Sequence, residues 1–161
     1  DMVVIPKPGD PRDPGNYRGI SLVETLLKTL CTIVAKRIGS TVLGKGLIIK
    51  EQAGFRDHEE CISQVISLYD VCHRRVSDRQ KTFLAFVDMR KAYDTVPHKL
   101  LFEKLAACKV AEKDRLFIKC LYEDSSVRVR VPVGRTEAIP IKRGVRQGCP
   151  MSPMLFQHFH Q

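Results

Sequence analysis

The chain has 161 residues, 43% of them hydrophobic, which is ordinary for one globular domain with a real core. Twenty-seven Lys and Arg against eighteen Asp and Glu give a net charge of +9 and a pI near 9.4, favouring a polyanionic partner over a neutral metabolite. No apolar run long enough for a membrane span and no secretory leader is visible, and six cysteines without a CxxC pair or disulfide-scaffold spacing imply a reducing, intracellular compartment, nuclear or cytoplasmic.

In chain order, Met2 to Ile5 forms a short apolar run that predicts a strand. PKPGDPRDPGN follows, whose four prolines forbid helix and predict a long exposed loop carrying Lys7 and Arg12, with Arg18 just beyond. Leu22, Leu26, Leu30, Ile33, Val34 and Ile38 have helical spacing, opened by Ser21 with Glu24 three residues on, as in a capping box, and closing near Gly39. After a Gly-punctuated turn and the loop EQAGFRDHEE, a second helix places Ile62, Val65, Ile66, Tyr69 and Cys72 on one face. Cys61, Cys72 and His73 read better as helix packing than as a metal cluster.

TFLAFVD, residues 82–88, is a nearly continuous apolar run that predicts a strand covered on both faces and ending in a carboxylate. Pro97 opens a helix through Leu100, Leu101, Leu105 and Cys108, and Glu112 to Tyr122 predicts another with Leu116, Phe117, Cys120 and Leu121 inward. SVRVRVPV alternates, with Val127, Val129, Val131 and Val133 on one face and Arg128 and Arg130 on the other, and a turn at Gly134 returns the chain through AIPIKRG as a hairpin. Residues 127–147 concentrate the positive charge, six cations against Glu137 alone. With no repeat, low-complexity tract or linker, the coarse reading is a single α+β unit, helices on one side of a mostly antiparallel sheet.

Two stretches could carry chemistry. Asp88 and Asp94, in FVDMRKAYD, could hold a hard divalent cation, since Mg²⁺ takes oxygen ligands and only one or two protein carboxylates. Alternatively, Asp88 merely ends the strand and Asp94 caps the next helix. In RGVRQGCPMSP, small and Pro-rich backbone lets a partner approach closely while Ser152 caps a helix begun by Pro153; a purely structural loop is the alternative.

Taken together and in order, VVIPKPGDPRDPGNYRGISL, EQAGFR, FVDMRKAYDTVPH and GVRQGCPMSPMLF resemble the successive sequence blocks of reverse transcriptases of non-LTR (LINE-type) retrotransposons, from Val3 to Phe156. The resemblance implies a right-hand polymerase fragment, α+β, with fingers over roughly 1–80 and the front of the palm over 81–161. It implies RNA-templated addition of deoxynucleotides to a DNA primer, with RNA template, primer and deoxynucleoside triphosphates as partners, no membrane, and two Mg²⁺ ions about 3.5–4 Å apart in the complete domain. On the matching positions, Asp88 is the catalytic, metal-binding carboxylate; beside apolar Phe86 and Val87 it would be costly unless paired. Tyr93 packs under the incoming sugar and excludes a 2′-hydroxyl. Lys7 and Arg18 offer two cations to the triphosphate, and Gln147 and Gly148 flank the nucleotide. Pro150, Ser152 and Pro153 face the template, with Arg56, Arg128 and Arg130 as looser candidates for template or primer phosphates.

The sequence also departs from that pattern. No Asp-Asp pair occurs anywhere and no acid follows Glu137, so the block with the remaining metal ligands is lacking. QHFHQ replaces the usual helical continuation, and His158 and His160 read as incidental rather than metal-binding. DHEEC lacks the basic run usual after GFR, and the missing initiator Met suggests a start inside a longer frame. The expectation is a domain fragment inactive as given, weak in metal binding and marginally stable, the alternative being a non-catalytic nucleic-acid-binding relic of the same domain.

Overall fold

The structure, a computed structural model, describes residues 1–49, 51–56 and 58–159. The N-terminal apolar run is strand β1, Met2–Pro6, paired antiparallel with β2, Tyr17–Ser21, in register from Met2↔Ser21 to Pro6↔Tyr17. The Pro-rich loop between them is fixed locally: the Asp13 carboxylate accepts the Gly15 N–H at 2.7 Å, and the Tyr17 hydroxyl donates to the Pro11 carbonyl at 2.8 Å. β2 has no alternating apolar pattern, and its existence depends on β1.

Helix α1 spans Thr25–Gly44. The capping box expected at Ser21 does not form, because Ser21 is the last residue of β2 and its N–H donates to the Gln147 carbonyl at 2.7 Å. The helix also runs past Gly39, which is buried where Met154 approaches. Its inward stripe is Cys31, Val34, Ile38 and Val42, while Leu26 is 82% exposed.

Helix α2 (Cys61–Ser77) forms as expected, yet none of its residues is buried, and Ile62, Val65, Ile66 and Tyr69 face solvent. The run 82–88 is not a strand, and Phe83, Phe86 and Val87 are exposed. The two failures have one physical reason: a strand needs a laddered neighbour and an apolar helix face needs a partner surface, and none of the described residues supplies either to these segments.

A short turn of helix, α3 (Ala92–Thr95), leads into α4 (His98–Ala107) and α5 (Glu112–Tyr122). Pro97 precedes α4, and Leu101 and Leu105 are fully buried as the spacing requires. The limits of α5 are those expected, but its buried residues are Asp114, Ile118 and Tyr122, with Leu116 and Cys120 exposed. The stripe is rotated because Arg37 of α1 pairs with the Asp114 carboxylate at 3.1 Å, while Tyr122 fills the space beneath Arg146.

The alternating valine–arginine run divides into β3 (Ser126–Val127) and β4 (Arg130–Val131). β4 makes a hairpin with β5 (Gly134–Arg135), and β3 pairs with β6 (Ile139–Pro140). Val127 and Val129 are half-buried with Arg128 and Arg130 outside, as expected, but Val131 and Val133 are exposed at the hairpin. Helix α6, Ser152–Phe159, ends the described chain. The α+β class holds, and strand pairing is antiparallel within three separate two-stranded sheets; helices predominate over sheet, contrary to the expectation of a mostly sheet architecture. The core lies where α1, α4, α5 and α6 meet, around Cys31, Ile38, Leu101, Leu105, Ile118 and Leu155. Each such side chain contributes about 1.5–3 kcal/mol on burial.

Candidate functional site

The segment 143–149 organises the site. Its backbone joins two distant elements: Gly144 N–H donates to the Val96 carbonyl and Val145 N–H to the Tyr93 carbonyl, both at 2.8 Å, while the Gln147 carbonyl accepts from Ser21. Two glycines make these approaches possible. Gly148 has φ +101°, and a Cβ there would lie 2.7 Å from the Ser21 carbonyl oxygen; Gly144 has φ +93°, and a Cβ would lie 3.0 Å from the Asp94 Cα. Backbone atoms cannot step aside, so glycine is required at both.

Two cavities border this segment, and a third lies beyond its C-terminal end. The first, about 240 Å³, is lined by Lys7, Arg18, Lys91, Tyr93, Asp94 and Gln147, among others. The second, about 490 Å³, shares Arg18, Tyr93 and Gln147 with it and adds Gly148, Cys149, Ser152 and Pro153. The third, about 470 Å³, lies between α1 and α6 and is lined by Arg56, Pro150 and Pro153 together with Lys36, Phe55 and Gln157. Lys7, Arg18, Tyr93, Gln147 and Gly148 are thus brought together from three separate stretches of chain. Arg56, Pro150 and Pro153 meet on the adjoining side.

Tyr93 is half-buried, its ring stacked on Phe156 with centroids 4.6 Å apart and planes 15° apart. Burial raises the Tyr93 hydroxyl above its ordinary pKa. Ser152 is 1% exposed, and its hydroxyl lies 3.4 Å from that of Tyr122, so its side chain is occupied within the core. Arg146 is also structural: its guanidinium donates to the Leu121 carbonyl at 2.8 Å and lies over the Tyr122 ring. Arg130 and Arg135 both reach the Asp1 carboxylate at 3.1 Å, which offsets part of the basic cluster, while Arg128 remains exposed.

Asp88 does not join this assembly. It is exposed in the irregular segment between α2 and α3 and lines none of the three cavities. The expectation of a carboxylate made costly by buried Phe86 and Val87 is therefore corrected, since those residues are 83% and 89% exposed and water solvates the acid. Among the described residues no three His, Cys, Asp or Glu side chains gather as a metal site, so the residues present do not fit the two-ion Mg²⁺ centre implied by the resemblance. Cys61 and His73 are exposed and Cys72 is half-buried on α2, where His73 stacks on Tyr69; the helix packing expected of them is not made among the described residues. His158 is buried in α6, and His160 lies outside the described residues.

Lys91, Phe55 and Phe156 fall inside the quoted blocks but are given no individual role in the sequence reading. Phe156 shows only apolar helix spacing, and Lys91 is one cation among many until the fold turns it toward Lys7 and Arg18.

Residues 5–161 match the family model described as reverse transcriptase (RNA-dependent DNA polymerase). The chain is 32% identical over 154 residues, 95% of its length, to the retrovirus-related Pol polyprotein from the type-1 retrotransposable element R2 of Popillia japonica, covering 21% of that protein. It is 29% identical to the probable RNA-directed DNA polymerase from transposon BS of Drosophila melanogaster, and 27% to the RNA-directed DNA polymerase from the mobile element jockey of the same species. Each of those two matches covers 98% of this chain and 17% of the relative. The chain spans about a fifth or less of these curated relatives. Among the described residues no helix is long and apolar enough to cross a membrane.

Proposed function

The chain belongs to the reverse transcriptase family, and from that premise we propose that it forms the fingers and front palm of a retroelement RNA-directed DNA polymerase domain, receiving the incoming nucleotide and gripping the template. The observation that carries this is the convergence of Lys7, Arg18, Tyr93, Gln147 and Gly148 on two adjoining cavities. Lys7 and Arg18 are donors suited to phosphate, Arg through its planar fork and Lys as a point charge. Tyr93, braced by Phe156, supplies a rigid surface for the sugar and occupies the space a 2′-hydroxyl would need. Gln147 and Gly148 border the base, where Gly148 leaves backbone accessible. The third cavity, with Arg56, Pro150 and Pro153, faces the template, and Arg128 is a peripheral phosphate contact.

Asp88 is the carboxylate that the family resemblance assigns to the metal site, yet it stands exposed outside the three cavities, and among the described residues no three His, Cys, Asp or Glu side chains gather to hold an ion. The residues on hand bind and orient nucleotide and template; they do not by themselves organise the attacking and leaving oxygens, so the chain alone is proposed to be inactive. The test pairs two assays. In RNA-templated primer extension with Mg²⁺ the purified chain gives no incorporation; robust template-directed incorporation refutes inactivity. In equilibrium dialysis it retains a deoxynucleoside triphosphate, and R18A and Q147A weaken retention; equal retention by these variants refutes the site.

A further inference from the structure

We propose that Lys91 is a third cation of the first cavity and binds the polyphosphate of its ligand together with Lys7 and Arg18. The proposal rests on reading that cavity as the nucleotide site. Lys7, Arg18 and Lys91 all line it, whereas Asp94 is its single acid. Among the described residues no ion pair joins Asp94 to any of the three, and none of the three has another acidic partner. A cavity of about 240 Å³ therefore carries three positive charges against one negative. Like charges gathered in a concave site repel one another until an anion enters, and a multiply charged anion relieves more of that repulsion than a single charge does.

The position of Lys91 is set by its backbone. Its φ and ψ of 52° and 39° lie in the left-handed region, which a lysine adopts only where its surroundings hold it there. The holding contacts are the turn from Lys91 C=O to Asp94 N–H at 2.9 Å and the clamping of α3 by Gly144 and Val145. This bend brings Lys91 to the rim of the same cavity as β2, which carries Arg18. The long flexible stem then lets the ammonium follow a polyphosphate chain.

The probe is inorganic tripolyphosphate, titrated into the purified chain by calorimetry at low salt. Lys91→Ala and Arg18→Ala are each expected to weaken binding about 3- to 10-fold. Lys91→Gly gives the same loss while accepting the left-handed backbone, Lys91→Arg restores most of the affinity, and Lys81→Ala, exposed and away from the cavity, leaves it unchanged. Thermal melts of each variant separate loss of charge from loss of fold. If Arg18→Ala and Lys7→Ala weaken binding while the folded Lys91→Gly chain binds like the parent, Lys91 is excluded and the nucleotide reading stands. If tripolyphosphate binding is indifferent to all three cations, the nucleotide reading fails and this proposal with it. A loss with Lys81→Ala equal to that with Lys91→Gly overturns the proposal in favour of diffuse charge.

Discussion

Tyr93 and Phe156 stack nearly parallel, and this contact braces the Tyr93 ring, which lines the first two cavities, against helix α6. Such pairs contribute about 0.5–1.5 kcal/mol beyond area burial. Phe156→Ala is expected to lower stability by about 1–3 kcal/mol, since the ring is only half-buried, and to move the Tyr93 hydroxyl back toward its ordinary value near 10. Because burial raises the folded-state pKa, the stability from neutral Tyr93 is present below about pH 10 and lost as pH rises above it. Ultraviolet phenolate titration against a Tyr93→Phe reference checks this; an unchanged titration in Phe156→Ala contradicts the bracing role.

Gly148→Ala strikes where β2 and segment 143–149 touch. The added Cβ meets the Ser21 carbonyl oxygen at 2.7 Å in a backbone conformation that alanine resists, so a loss of about 1–3 kcal/mol and opening of the Ser21–Gln147 hydrogen bond are expected. Amide exchange at Ser21 should accelerate well beyond that at Val34 in the core. Equal acceleration at both sites indicates global destabilisation instead.

His158 is 3% exposed, and a polar neighbour of its ring is the Lys104 backbone, whose hydrogen-bonding contact only partly offsets burial. Burial, and then the nearby Lys104 charge, lower its pKa below the ordinary 6.5. The unfolded chain therefore binds the proton more readily, so stability is full above about pH 6.5 and is lost as pH falls through and below it. Denaturant midpoints between pH 7.5 and 5 should fall in the parent and fall less in His158→Leu. Parallel curves for the two chains rule the histidine out as the cause.

The apolar face of α2 and the segment 82–88 are the exposed hydrophobic regions that most invite association. Concentration-dependent self-association is expected by sedimentation, with Phe86→Asp and Val65→Lys each reducing it. A monodisperse monomer with a sharp melt argues otherwise.

What could be read from the chain in advance divides along a physical line. Helix α5 was legible to its limits because its pattern and ends are local. Ser21 has the local pattern of a cap, but its N–H is claimed by Gln147 from the far part of the chain, a partner no local pattern reveals. Phe83 and Phe86 look like core in any hydropathy scan, but burial is a property of pairs, and the second member is absent among the described residues. The order of blocks singles out Arg18, Tyr93 and Gln147, which the fold places on shared cavities; Lys91 and Phe156 carry no local signal because their neighbours come from distant parts of the chain.

The hydrogen bond between Ser21 and Gln147 has a kinetic consequence as well. It closes a loop that contains most of the chain, and the entropy of that closure must be met before any of its contacts can form. During synthesis the β1–β2 hairpin and α1 can form early, but the pockets they border exist only after residues 143–149 have been made. Affinity at the proposed nucleotide site should therefore arise well after helical circular dichroism has recovered, because that site exists only once residues 143–149 have docked on β2.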